Sequence, residues 1–306
     1  MMVLVDLSTI LTYSVGGIPT SIITQLDEKV HDVRLLSTNV LLNLGDEGLQ
    51  KDKTVDQAIV TYWTTKQNNK DTNYIAPCKI AEVQKKYGPL LAKTAFELGA
   101  LKLSPNDPFT WASGYRMPIY NDNRRFLALP EMRRTIAEAF AELLKAVDFD
   151  PEWLAGTATA GIPHSVSLGD LLQKSVSYVR SGGKDHGLKN QIEGLGANAD
   201  YKGAGVLVVE DLISTGGSSI KAVEAVRNAN GKVPFCFAIF SYGFAEAEKA
   251  FAELNPPCIP VTILNYDIML DEAVRQNYIS EENKKSLAEW RLDPFGWGEK
   301  HGFPKV

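Results

Sequence analysis

Two nearly continuous apolar runs constrain the fold of this chain more than any other feature. Residues 206–209 read VLVV and residues 235–240 read FCFAIF, so neither run places polar side chains at alternate positions. Such runs are typical of strands that are covered on both faces, as in a parallel sheet. Parallel strands need a crossover connection between them, usually a helix. Residues 218–231, which end at Gly231, have the pattern of that helix.

The same alternation of strands and helices continues along the chain from residue 79. It indicates βαβ units, and therefore an α/β fold with a doubly wound, mostly parallel sheet. In open sheets of this kind, ligands bind beyond the carboxyl ends of the strands. The apolar periodicity predicts strands over 153–159, 175–180, 205–209 and 234–242, and helices over 79–99, 131–147, 164–173 and 245–254.

The strand at 205–209 leads directly into two carboxylates, Glu210 and Asp211, and then into residues 212–219, LISTGGSS. Backbone N–H groups, hydroxyls and a helix N-terminus make such a loop favourable for phosphate. Neither the Walker pattern nor GxGxxG is present. Two acidic acceptors beside a phosphate site suit the vicinal hydroxyls of a ribose, which predicts a 5-phosphoribosyl ligand. The alternative is that the two acids cap a helix or face solvent.

Composition excludes several classes of protein. A net charge of −5 and a pI near 5.5 argue against a nucleic-acid partner. Three widely spaced cysteines favour reduced thiols over a disulfide framework or a zinc site. The first basic residue is Lys29, and residues 7–24 are interrupted by glycine, proline and hydroxyl side chains. We therefore expect a cytoplasmic protein without a signal peptide or a membrane span.

Residues 206–218, VLVVEDLISTGGS, resemble the phosphoribosyl-pyrophosphate (PRPP) signature of type I phosphoribosyltransferases, which does not identify the base. Residues 108–124, 156–163 and 178–194 are similar to segments of orotate phosphoribosyltransferases. The resemblance covers about residues 85–292. It implies a type I fold with a small hood region, and a homodimer that uses Mg²⁺. The implied reaction transfers the 5-phosphoribosyl group from PRPP to orotate in UMP biosynthesis, giving orotidine 5′-monophosphate and pyrophosphate.

The resemblance also implies roles for individual residues. Arg180, Lys184 and His186 lie on a Gly-rich segment that matches a flexible loop contacting the diphosphate of PRPP. Lys184, His186 and Asp211 would be catalytic, and Glu210 and Asp211 would bind the ribose hydroxyls. Mg²⁺ would be held mainly by PRPP oxygens and water, without a full set of protein ligands. The remaining PRPP-binding residues would be Leu212, Ile213, Ser214, Thr215, Gly216, Gly217 and Ser218.

Orotate recognition is the part of the resemblance that is least determined by the residues. Ser214 matches a residue that touches orotate, and residues 159–161 match the loop that approaches pyrophosphate through its backbone. Tyr120 would stack on the base or lie in the core. Some relatives have a lysine at the position of Ala112. Arg116 is close enough in the sequence to take the place of that lysine. Two further departures are Ser181, where some relatives carry a basic residue, and residues 240–244, which lack an arginine.

Two other functions are compatible with parts of the sequence. A purine or xanthine phosphoribosyltransferase would share the fold and the PRPP motif. A PRPP-sensing regulator would need a basic DNA-binding domain, but acids outnumber cations in residues 1–74. Those residues fall outside the resemblance, so we predict an N-terminal extension of unknown role over 1–74 and an orotate phosphoribosyltransferase domain over 75–306.

Overall fold

The computed structural model describes residues 77–111, 113–180, 191–196 and 200–306. The predicted extension over 1–74 and its boundary with the catalytic domain lie outside the described residues, as do Lys184 and His186. No helix in the described ranges has both the length and the apolar character that a membrane crossing requires.

Helices and strands alternate along most of the described chain. The strands are β1 (Leu101–Leu103), β2 (Phe109–Thr110), β3 (Arg116–Met117), β4 (Ile119–Asn121), β5 (Trp153–Thr157), β6 (Ser175–Val179), β7 (Ile192–Glu193), β8 (Val206–Ile213), β9 (Phe235–Ser241) and β10 (Ile259–Leu264). The helices are α1 (Pro77–Glu97), α2 (Pro130–Ala146), α3 (Gly161–Leu172), α4 (Gly217–Asn228), α5 (Ala245–Ala252), α6 (Tyr266–Arg275), α7 (Glu281–Leu292) and α8 (Trp297–Lys300). A 3₁₀ helix over Asn123–Ala128 joins β4 to α2.

Six of these strands form the central sheet in the order β10–β9–β8–β5–β6–β7. All neighbouring pairs are parallel except β6 with β7. Successive residues of β8 enter two different cores: Val206 and Val208 pack on one face, and Leu207 and Val209 on the other. This burial on both faces explains why the strand carries an unbroken apolar run. The predicted doubly wound α/β fold is confirmed.

Two local predictions need correction around β8 and α4. The strand does not stop at residue 209 but continues through both carboxylates to Ile213. Backbone pairing with β9 explains the extension, because the register continues from Glu210 with Ala238 to Ile213 with Ser241. Helix α4 ends at Asn228 rather than at Gly231. Gly231 instead follows the helix, and its N–H donates to the carbonyl of Val226.

The hood region comprises residues 101–121 and consists of two short antiparallel pairs, β1 with β4 and β2 with β3. The C-terminal helices attach to it through buried tryptophans. Trp290 is fully buried, and its Nε1 donates to the Sδ of Met117 in β3 at 3.2 Å. Trp297 is also buried and stacks on Phe303. Both tryptophans are therefore packing residues.

His164 is a buried polar residue in the first turns of α3. It is 1% exposed, and neither ring nitrogen has a hydrogen-bond partner among the described residues. Burial therefore lowers the pKa of His164 to about 4. The imidazole is neutral at pH 7, as expected for a packing residue.

We predict that His164 makes the fold sensitive to acid. In the unfolded chain the imidazole of His164 takes up a proton below its ordinary pKa of 6.5. In the folded chain the same imidazole is protonated only near pH 4. The free energy of unfolding should therefore fall between pH 7 and pH 4.5. His164→Leu should reduce that fall by about 2 kcal/mol. Urea unfolding of both proteins at the two pH values measures the difference, and parallel pH dependences would contradict this account.

Candidate active site

A cleft of about 480 Å³ opens where β5 and β8 end. Two loops follow these neighbouring parallel strands, so their residues meet at the same edge of the sheet. A third wall comes from the end of β4 and the start of the 3₁₀ helix. The lining residues are Asn121, Asp122, Arg124, Ala158, Thr159, Ala160, Glu210, Asp211, Leu212, Ser214, Thr215, Gly216, Gly217 and Ser218.

The loop after β8 and the start of α4 present the groups that an anion site needs. Gly216 has φ 85°, in the left-handed region that favours glycine, and it precedes the first helical residue, Gly217. Gly216 supplies no side-chain cap to the helix. The N–H groups of the first turn have no intrahelical partner, so they are available to an anion, which the helix dipole also favours.

Glu210 connects the loop after β5 with the loop after β8. Its side chain is 5% exposed, and Oε1 accepts hydrogen bonds from the hydroxyl of Thr157 at 2.6 Å and from the N–H of Asp211 at 3.0 Å. Oε2 accepts from the hydroxyl of Ser219, in the first turn of α4, at 3.2 Å. One carboxylate thus joins the end of β5, strand β8 and the first turn of α4.

The two adjacent carboxyl groups both resist ionisation. Burial raises the pKa of Glu210 to about 7; the hydrogen bond from Thr157 opposes the rise, and the charge of Asp211 adds to it. Burial also raises the pKa of Asp211. Desolvation and mutual repulsion disfavour the charged forms, so ligand groups that donate hydrogen bonds to these oxygens would be bound strongly.

The loop after β5 is held against β8 by close backbone packing. Gly161 begins α3, and a Cβ atom at this position would collide with the carbonyl oxygen of Val209 and the hydroxyl of Thr157. The absence of a side chain lets the N-terminus of α3 approach β8. Residues 158–160 are thereby positioned beside the carboxylates, with a cis peptide bond between Ala158 and Thr159.

The third wall is tied to the same strand. Asn123 is 1% exposed, and its Nδ2 donates to the backbone carbonyl of Asp211 at 2.7 Å. On either side of it, Asp122 and Arg124 form an ion pair, with Nε to Oδ1 at 2.6 Å. The hydrogen bond from Asn123 fixes the hood-side segment, residues 121–124, relative to Asp211, which the sequence comparison assigns to the ribose.

The structure brings most of the predicted PRPP-binding residues together. Glu210, Asp211, Leu212 and residues 214–218 all line the cleft. Ile213 does not, because its side chain is 1% exposed and packs in the core, which leaves only its backbone to reach a ligand.

Arg180 and Tyr120, which were predicted site residues, lie outside the lining, as do residues 240–244, where the family arginine is missing. Arg180 follows β6 and pairs with Glu193 at 3.5 Å. Tyr120 is half-buried in β4, with its ring centroid 6.1 Å from that of Phe109. Residues 240–244 carry Tyr242, which is buried and stacks on Phe244.

Four lining residues were not predicted as individual positions: Asn121, Asp122, Arg124 and Ala158. The first three belong to NDNR, a polar run that immediately follows a short apolar stretch. A cluster of hydrogen-bond donors and acceptors directly after a strand is a signal for a ligand site. This cluster lies within residues 108–124, which resemble a segment of the family. Ala158 carries no such signal because it contributes to the cleft by its place in the loop.

We predict that Thr157→Val weakens the structure around Glu210. The substitution keeps the side-chain shape but removes a donor to a buried carboxylate, which should lower the free energy of unfolding by about 1–3 kcal/mol. Thr262→Val is the matched control, because Thr262 is a buried threonine of the same sheet in β10. Denaturant unfolding compares the variants. Equal losses in both would contradict the role of the Thr157 hydroxyl.

Comparison with known proteins identifies the family. A model of the phosphoribosyl transferase domain matches residues 122–249. Orotate phosphoribosyltransferase of Listeria monocytogenes serotype 4b is 46% identical over 209 residues, which cover 68% of this chain and 97% of the relative. The enzyme of that name from Porphyromonas gingivalis is 45% identical over 215 residues, covering 70% of this chain and 99% of the relative.

Solved structures share the fold. Orotate phosphoribosyltransferase from Aeropyrum pernix aligns with a TM-score of 0.50 and 26% identity, over 62% of this chain and 99% of that one. UMP synthase of Leishmania donovani aligns with a TM-score of 0.55 and 22% identity, over 67% of this chain and 42% of that one. The sequence relatives are matched over nearly their whole length at more than 40% identity. This chain therefore belongs to the orotate phosphoribosyltransferase family.

Proposed function

We propose that this protein transfers the 5-phosphoribosyl group of PRPP to orotate, giving orotidine 5′-monophosphate and pyrophosphate in pyrimidine biosynthesis. The observation that carries the proposal is the cleft itself. It combines a helix N-terminus suited to phosphate, a carboxylate suited to ribose hydroxyls and a second loop suited to pyrophosphate. The family relationship supports orotate as the base that accepts the ribose.

The parts of PRPP would occupy different walls of the cleft. Residues 214–218 would hold the 5′-phosphate, and residues 158–160 would approach the diphosphate through their backbone. Asp211 would accept hydrogen bonds from the ribose hydroxyls. Glu210 already accepts three hydrogen bonds, and a carboxylate has about four acceptor sites, so it retains capacity for one hydroxyl. Ser214, between the phosphate loop and the carboxylates, would also touch orotate.

The reaction breaks the bond between the anomeric carbon and the diphosphate oxygen, and forms a bond from that carbon to N1 of orotate. The N–H bond at N1 also breaks, and its proton passes to the departing diphosphate or to water. Positive charge develops on the ribose as the diphosphate departs. Asp211 would stabilise that charge electrostatically from the ribose side. Arg180, Lys184 and His186 would neutralise the leaving diphosphate, with Lys184 and His186 acting directly on it. Fixing both substrates in one cleft would supply much of the remaining acceleration.

Mg²⁺ is the cofactor that we propose. This ion usually keeps several waters and takes one or two carboxylates together with substrate phosphates. The cleft fits that mode, because Asp211 presents a carboxylate beside the ribose and diphosphate positions. Bound there, Mg²⁺ would neutralise part of the charge on the diphosphate.

We further propose a cytoplasmic homodimer whose catalytic domain is residues 75–306. The match to the phosphoribosyl transferase domain, over residues 122–249, lies within the proposed catalytic domain and is consistent with that division. Residues 1–74 would then be an extension that the reaction does not require.

An assay of the purified full-length chain with PRPP and Mg²⁺ tests the proposed function. Orotate should be consumed, with pyrophosphate released in equal amount, whereas hypoxanthine, xanthine and adenine should not be consumed. Turnover of a purine without turnover of orotate would establish the alternative, a purine or xanthine phosphoribosyltransferase on the same fold.

We predict that Asp211→Asn lowers kcat/KM for PRPP about 10- to 150-fold. The substitution removes the charge from an acceptor for ribose hydroxyls, and such hydrogen bonds contribute about 1.5–3 kcal/mol. Asp170→Asn provides the matched control, because Asp170 is an exposed aspartate of α3 that does not line the cleft. Steady-state kinetics of both variants give the comparison. An Asp211 variant with the kinetics of the control would mean that this carboxylate does not face the ribose.

A further inference from the structure

Arg124 is the cationic side chain of the cleft in the part of the chain that the structure describes. The other described lining residues are neutral or acidic. Its guanidinium is 65% exposed, so a ligand can reach it. The family comparison assigned the substrate cations to residues 180–186 and gave no role to this arginine.

The position of Arg124 is fixed by two hydrogen bonds. Its neighbour Asn123 is buried and donates to the backbone carbonyl of Asp211 at 2.7 Å, which anchors the segment to β8. The Nε of Arg124 donates to Oδ1 of Asp122 at 2.6 Å. This contact holds one edge of the guanidinium, and the terminal amino groups remain available for a planar anion.

The arrangement of the cleft indicates which substrate Arg124 meets. Residues 214–218 suit the 5′-phosphate, and residues 158–160 suit the diphosphate. The base must attack the anomeric carbon from the side that the diphosphate does not occupy. The wall that remains is the hood-side segment, Asn121 to Arg124. The hydrogen bond and the charge of Asp122 raise the pKa of Arg124, and the charge of Asp211 adds a smaller contribution. Arg124 and Asp211 both line the cleft.

Orotate differs from uracil by a carboxylate on the carbon next to N1, the attacking nitrogen. An arginine that binds this carboxylate through two parallel N–H bonds both selects the base and orients N1. We propose that the guanidinium of Arg124 binds the carboxylate of orotate. This inference rests on the proposed function. The substrate class that this residue selects is a pyrimidine with an acidic group beside the reacting nitrogen.

The main rival within the chain is Arg116, which sequence comparison suggested as a replacement for a lysine of the orotate segment. It does not line the cleft. Its guanidinium lies 3.9 Å from Asp107 and over the ring of Phe303, at 6.0 Å from the centroid. Arg116 is therefore engaged with the C-terminal segment, and Arg124 remains the better placed cation.

Steady-state kinetics of Arg124→Ala and Arg124→Lys test the proposal. In the alanine variant, KM for orotate should rise at least tenfold while KM for PRPP stays within about twofold. The lysine variant, which keeps the charge but not the two-pronged geometry, should fall between it and the wild type. Arg134→Ala removes a positive charge from the exposed face of α2, outside this set of lining residues, and is the matched control.

A neutral analogue identifies the group that is recognised. Uracil-6-carboxamide, tested as a competitive inhibitor, should lose less than threefold in affinity on Arg124→Ala, because it lacks the carboxylate. Circular dichroism and thermal unfolding check that the variants fold. A rise in KM for PRPP equal to that for orotate would place Arg124 on the diphosphate and overturn the proposal. So would an equal loss of affinity for the neutral analogue.

The wild type separates this inference from the proposed function. If the wild type does not consume orotate, the proposed function fails and the inference fails with it. If the wild type consumes orotate but Arg124→Ala has an unchanged KM for orotate, only the role of Arg124 is wrong.

Discussion

The geometry of the cleft depends on one buried carboxylate. Glu210 is the meeting point of three elements, because Thr157 of β5, the N–H of Asp211 in β8 and Ser219 of α4 all donate to it. Each of these elements carries a different part of the proposed PRPP site. A carboxylate without such donors would be costly to bury. The three hydrogen bonds therefore make the burial of Glu210 possible. The site is thereby organised before a ligand arrives, which reduces the ordering cost of binding.

This arrangement refines how the acidic pair is interpreted. The sequence suggested two equivalent ribose acceptors, whereas the structure gives the two carboxylates different surroundings. Glu210 is satisfied mainly by protein donors, and Asp211 is half-buried at the cleft wall. Their pKa values are both raised by burial, so a substrate that donates hydrogen bonds would favour their ionised forms. We infer that Glu210 mainly positions the loops and that Asp211 mainly meets the ribose.

The sequence predicted the central sheet and one side of the site, because both are encoded locally. The apolar runs of β8 and β9 predicted two parallel strands. The acidic pair and the small hydroxyl residues that follow it predicted a site for a phosphorylated ribose. The hood region was predicted only through the resemblance of residues 108–124, and its lining residues Asn121, Asp122 and Arg124 were not predicted. Its strands have only two or three residues, which is too short for periodicity to identify. The role of Arg124 depends on the contact from Asn123 to Asp211, 88 positions away in the chain, which no local pattern reveals.

The most direct test of the central claim is a titration of the glutamate carboxyl carbons by NMR, with and without PRPP. A buried Glu210 that holds the loops together should titrate well above the usual value of 4.5 in the free protein. Glu210→Gln should abolish this signal, and PRPP should shift it, because the ribose hydroxyls and the charges of PRPP both act on the carboxyl group. If every glutamate titrates below pH 5 in the free protein, Glu210 is solvated and does not organise the cleft.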